Sequence, residues 1–125
     1  MAAGATIETT ATALTVDDAT GSIASLVDKA TGRDFVAGAR PAPLYELTFA
    51  RPELSVSSRD AAGVVVELRD DALIVDAADH GQAGVSVTCR FRTEPESGLI
   101  LGSISVRCAS EMTLASVRFP LLPVR

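Results

Sequence analysis

His80 is the one histidine of the chain. Imidazole is the commonest general acid or base, and it needs a nucleophile or carboxylate converging on it. Its setting, AADHGQAG, has loop composition and predicts an exposed turn. No serine stands in a nucleophile-elbow context, and one histidine excludes a two-histidine metal site. Asp70, Asp71, Asp76 and Asp79 cluster, and oxygen-rich loops can hold calcium. Their spacing lacks the glycine and closing glutamate of a calcium loop, so they read as solvated turns flanking a strand. No catalytic, cofactor or metal residue is assigned.

Arg90, Arg92 and Arg107 form the candidate partner-facing surface. Alternation puts them on one outward face of adjacent strands. Such a face can receive a partner's acids or an anionic ligand. The plainer reading is a wet face whose arginine stems cover apolar neighbours. Sugar stacking by a flat aromatic platform is disfavoured. There is no tryptophan, and Tyr45, the one tyrosine, shares the parity of Leu47 and Phe49, which points it inward.

The elements that must position these groups are strands. VSVTCRF sends Val85, Val87, Cys89 and Phe91 to one face. ILGSISVRC sends Ile100, Gly102, Ile104, Val106 and Cys108 inward. LYELTFA, VVVELRD and ASVRFPLL align Tyr45-Leu47-Phe49, Val64-Val66-Leu68 and Val117-Phe119-Leu121. Ala72 to Ala78 is short and centred on Ile74-Val75, which favours a strand over a helix. Eight or nine such strands, each with one buried face, predict an all-β antiparallel sandwich without substantial helix.

DDATGS, starting at Asp17, recurs as DKATGR, starting at Asp28. Each Asp can bind amides of its own turn, and Gly21 and Gly32 can take the positive φ that closes a hairpin. Thr12 to Val36 thus reads as a three-strand meander. Ile23 and Leu26 have opposite parity, which demands either two covered faces or a bulge. GARPAP and RTEPESG read as loops. If RTEPESG joins its flanking strands directly, Thr88 faces Ser103 and Cys89 faces Gly102. Cys108 then lies about 20 Å from the partner of Cys89, beyond the roughly 7 Å that a disulfide spans. Two free buried thiols follow.

The chain has 125 residues, a net charge of −5 and 47% hydrophobic residues. That suits a single domain over 1–125 with a real core, and excludes disorder as the main state. The charge opposes phosphate-driven nucleic-acid binding. No run reaches the roughly 20 apolar residues of a membrane helix. MAAGATIETT lacks a signal peptide's charged and apolar regions, which places the chain as written in the cytoplasm.

ALTVDDATGSIASLVDKATGRDFV, with LASVRFPLLPV near the far end, resembles the N-terminal, galactose-mutarotase-like β-sandwich of bacterial glycoside-hydrolase-like proteins. Its most specific parts are Leu14 to Phe35 and Val117 to Leu122. The family's penultimate strand often carries an Asn, whereas Cys108-Ala109-Ser110 stands here and the chain has no Asn. The resemblance implies a non-catalytic accessory domain, excised from or preceding a larger catalytic domain of the same parent chain. It also implies carbohydrate at the domain junction, with the catalytic carboxylates beyond Arg125. The apolar ending, Leu121, Leu122 and Val124, fits such a continuation. Two alternatives stay open: a free-standing interaction or assembly module, and a small mutarotase-like enzyme.

Overall fold

The computed structural model describes residues 4–36, 42–51, 53–70, 72–80, 84–94, 96–109 and 111–120. Within them run β1 (Gly4–Glu8), β2 (Thr12–Asp17), β3 (Ile23–Asp28), β4 (Arg33–Asp34), β5 (Glu46–Arg51) and β6 (Glu53–Ser57). They are followed by β7 (Ala61–Arg69), β8 (Ala72–His80), β9 (Val85–Glu94), β10 (Leu99–Cys108) and β11 (Thr113–Arg118). A 3₁₀ turn at Ser58–Asp60 is the one helical element among the described residues. Eleven strands exceed the eight or nine expected. β1 and β6 are short strands that alternation did not single out, and β4 has two residues.

The fold is an all-β antiparallel sandwich. Three sheets run in the orders β1-β2-β3-β4, β10-β9-β8-β7 and β11-β5-β6. The first lies across the second, with β1 meeting β7, β8 and β9. One apolar cluster joins all three, including Leu14 and Val16 from the first, Val75 and Phe91 from the second, and Leu47 and Phe49 from the third.

The twin turns form as their residues dictate. Asp17 Oδ1 accepts the amides of Ala19 and Thr20 at 2.7 and 3.2 Å. Asp28 accepts from the Ala30 amide at 3.2 Å and the Thr31 hydroxyl at 3.0 Å. Gly21 and Gly32 adopt φ of 74° and 73°, and each donates its N–H to the carbonyl of its turn's Asp. The Ile23/Leu26 conflict is resolved by a bulge. Thr15 faces Ser25 but Val16 faces Ile23, so Ala24 is skipped and Ile23 turns into the core.

A third turn of this kind closes the β9–β10 hairpin. Glu94 to Gly98 repeats acid-x-x-hydroxyl-Gly, with Gly98 at φ 73° and its N–H on the Glu94 carbonyl. The Ser97 hydroxyl donates to Glu94 Oε1 at 2.7 Å. This compact turn lets β9 run on through Glu94 and corrects the register by two residues. Ile104, not Gly102, faces Cys89, and Ser103 faces Arg90. A shift of two preserves the faces.

Some expected inward positions do not close. Leu68, near the end of edge strand β7, is exposed. Val117 is 40% exposed, because β11 meets β5 through two register shifts and is exposed at all six positions. The GARPAP loop over 38–41, Asp71, residues 81–83, Pro95 and the ending 121–125 lie outside the described residues.

Candidate functional site

The exposed turn expected for His80 is corrected by the structure. His80 ends β8 at 2% exposure. Counting on from Leu73, Val75 and Ala77 would place it opposite the core, yet its ring lies 5.8 Å from that of Tyr45. Tyr45 is held there by the 3₁₀ turn. The Ser58 hydroxyl accepts the Leu44 amide at 2.7 Å, and the Ser58 amide donates to the Tyr45 carbonyl. The turn itself is closed by a capping box, in which Asp60 accepts the Ser57 amide at 2.8 Å.

His80 Nδ1 lies 2.7 Å from the Val85 carbonyl, which can only accept. Nδ1 therefore carries a hydrogen, and in the neutral ring Nε2 accepts from the Tyr45 hydroxyl. Every polar atom of this buried chain is matched, and no described buried side chain lacks a partner. Burial, then Cys89 and Asp60, pushes the Tyr45 phenol above its ordinary range. The chain ties together the start of β5, the end of β8 and the start of β9. Both polar ends are spent on protein, and neither ring reaches solvent, so its role is to lock the fold. No local signal marked it, since Tyr45 and His80 lie 35 residues apart.

The carboxylate cluster disperses. Asp70 takes the left-handed turn position between β7 and β8, at φ 55°. Asp76 lies on β8 and accepts the Thr88 hydroxyl at 2.7 Å. Asp71 and the side chain of Asp79 are not among the described parts, and no metal-binding group forms among the described residues.

Arg90, Arg92 and Arg107 are all exposed and share one face, as alternation requires. Arg90 and Arg92 are neighbours on β9, opposite Ser103 and Leu101. Arg107 stands on β10 opposite Ser86, four positions along from Ser103, about 13 Å away. Ser86, Thr88, Ser103 and Ser105 fill the face between them. No ion pair engages the three arginines among the described residues.

Both cysteines are free, but only Cys89 is buried, and Cys108 is exposed on edge strand β10. Burial and, second, Asp76 push the Cys89 thiol up to about 12. The groove between β2/β3 and β9/β10 is apolar, about 250 Å³, and lined by Leu14, Leu26, Ile100 and Phe119 among others. A side chain on Gly102 would strike the Phe91 and Phe119 rings at 3.2 and 3.3 Å, so its absence seats Phe119. A more polar hollow of about 280 Å³ lies on β5 and β6. Of its carboxylates, Asp60 is held in the capping box and Glu46 stands 3.7 Å from Arg118.

Among the described residues no helix is long and apolar enough to cross a membrane. Comparisons with protein-family models, with curated proteins and with solved structures find no match to this chain.

Proposed function

We propose that this chain is a non-catalytic accessory β-sandwich of a glycoside-hydrolase-like protein, packing on a catalytic domain of the same parent chain. The packing rests on one observation, the state of β11. All six of its residues are exposed, Leu114 at 42% and Val117 at 40%, although these two stand opposite the buried Phe49 and Leu47 of β5. Paired exposed apolar residues on a sheet margin are the kind of surface that protein contact removes from water. The sugar-cleaving context and carbohydrate at the junction are supported by the resemblance of Leu14 to Phe35 and Val117 to Leu122. The twin Asp turns within that stretch are built alike. The buried titratable pair, Tyr45 and His80, is consumed in holding the fold, which favours an accessory role over the small-enzyme alternative.

The test is hydrogen exchange on the whole product of the parent reading frame and on the 125-residue chain. Amides of β11 should be protected in the longer product and exchange quickly in the shorter one. Equal exchange in both, or a reading frame that stops at Arg125, would overturn the proposal.

A further inference from the structure

We propose that the open edge of β10 accepts an extended, acidic segment of another polypeptide as an added antiparallel strand. The inference stands apart from the accessory-domain reading and concerns a different margin of the molecule. β10 has ten residues, each paired with β9 without a register shift, and no strand pairs its other side among the described residues. Exposed edges are normally blunted by short length, proline, lysine, bulges or charge. The other terminal strands show such devices. β4 has two residues, β1 and β6 have five each, and β11 is broken by two shifts. β7 carries Glu67 and Arg69. Leu99–Cys108 contains no proline, no lysine and one charge, Arg107.

The ladder shows which groups are free. The Ala109 amide donates to the Gly84 carbonyl at 2.8 Å, in register with the pairs that follow. Backbone groups of the same parity, from Leu99 to Arg107, therefore point at β9. Those of Ile100, Gly102, Ile104, Val106 and Cys108 point to the open edge. The same residues form an inward row whose Ile100, Ile104 and Val106 are only half-buried, with Ile100 and Gly102 lining the apolar groove. An added strand would satisfy the backbone and cover this row with alternate apolar side chains.

Charge selects the occupant. The outward face beside the edge carries Arg90, Arg92 and Arg107, all exposed and without ion pairs among the described residues. On β9 and β10 this face carries one carboxylate, Glu94, against the three arginines, while Asp76 and Glu67 lie farther from the edge, on β8 and β7. A second copy docking edge to edge would bring three more arginines to the same face. An incoming strand with Glu or Asp at its outward positions meets them instead. Its side chains start one strand spacing from Arg107's row and two from Arg90's, roughly 10 Å, within reach of extended Arg and Glu.

The test titrates the isotopically labelled 125-residue chain with acetylated heptapeptides, reading amide shifts by NMR. The probes alternate valine with glutamate or valine with lysine, with a scrambled valine–glutamate peptide as control. The glutamate peptide should shift amides of β10 and weaken at least tenfold in R90E/R92E/R107E, whose folding the same spectrum reports. It should also weaken at high salt, and when its alternate amides are N-methylated. The scrambled peptide should bind at least tenfold less. Equal binding of the lysine or methylated peptide, or no β10 shifts with any probe, overturns the proposal. So does a concentration-dependent dimer with β10 at its contact. Binding that appears only after deletion of residues 121–125 also overturns it, by making the chain's own tail the occupant.

Discussion

β9 and β10 are joined by one turn, have ten residues each and share one alternating pattern, yet they are buried to different depths. Val85, Val87, Cys89 and Phe91 of β9 are buried. The matching row of β10, Ile100, Ile104 and Val106, is half-buried, and Cys108 is exposed. β9 lies between β8 and β10, faces β1, and is pinned at Val85 by His80. Among the described residues β10 has a neighbouring strand on one side only. Alternation therefore sets which face a residue joins, and the place of the strand in the sheet sets how far it leaves water.

The sharpest test of that contrast is a pair of truncations. Phe91→Ala should cost about 3–5 kcal/mol, the range for a fully buried aromatic, while Ile104→Ala should cost about 1–2 kcal/mol because part of its surface is already wet. Urea midpoints at constant slope measure both, and equal losses would break the comparison. The cysteines repeat it with a chemical readout. In the folded protein Cys108 should react at once with a thiol reagent and Cys89 only after unfolding. Cys89 holds its proton up to about 12 against an ordinary 9.0. Between those values the folded thiol keeps a proton that the unfolded one has released. Stability should therefore fall as pH rises through that window, by up to about 1.4 kcal/mol per pH unit. Tyr45, raised in the same direction, adds to the loss at the alkaline end. Cys89→Ala should flatten the slope, and Cys108→Ala should not.

Tyr45→Phe tests the pin on β9. It leaves Nε2 of His80 buried without a donor and should cost about 1–3 kcal/mol, with amide exchange accelerating first near Val85. The smallest effect compares the twin turns. Ala at Gly32 meets only the positive-φ penalty, about 1 kcal/mol, since nothing lies within 4 Å of the new Cβ. At Gly21 the same Cβ would stand 2.8 Å from Val75 Cγ1, so Gly21→Ala should lower the melting temperature further.

What could be read without the structure was local. The twin Asp turns, the parity conflict of Ile23 and Leu26, the inward Tyr45 and the shared face of Arg90, Arg92 and Arg107 each follow from residues within one strand or turn, whereas the choice of a bulge over a second covered face came from the folded sheet. The Glu94–Gly98 turn is equally local, since EPESG repeats the acid-x-x-hydroxyl-Gly spacing and that turn sets the hairpin register. The exposure of Val117 and Leu68 was not legible. It depends on which strands end up at sheet edges.

Side-chain parity and turn chemistry come from backbone geometry over two to five residues, so the amino-acid order alone determined the antiparallel strands and their faces. Burial depth and hydrogen-bond partnership are sums over neighbours far away in the chain. Only the folded sheets could therefore bring His80 to Tyr45, leave Cys108 in water and give β10 an open side.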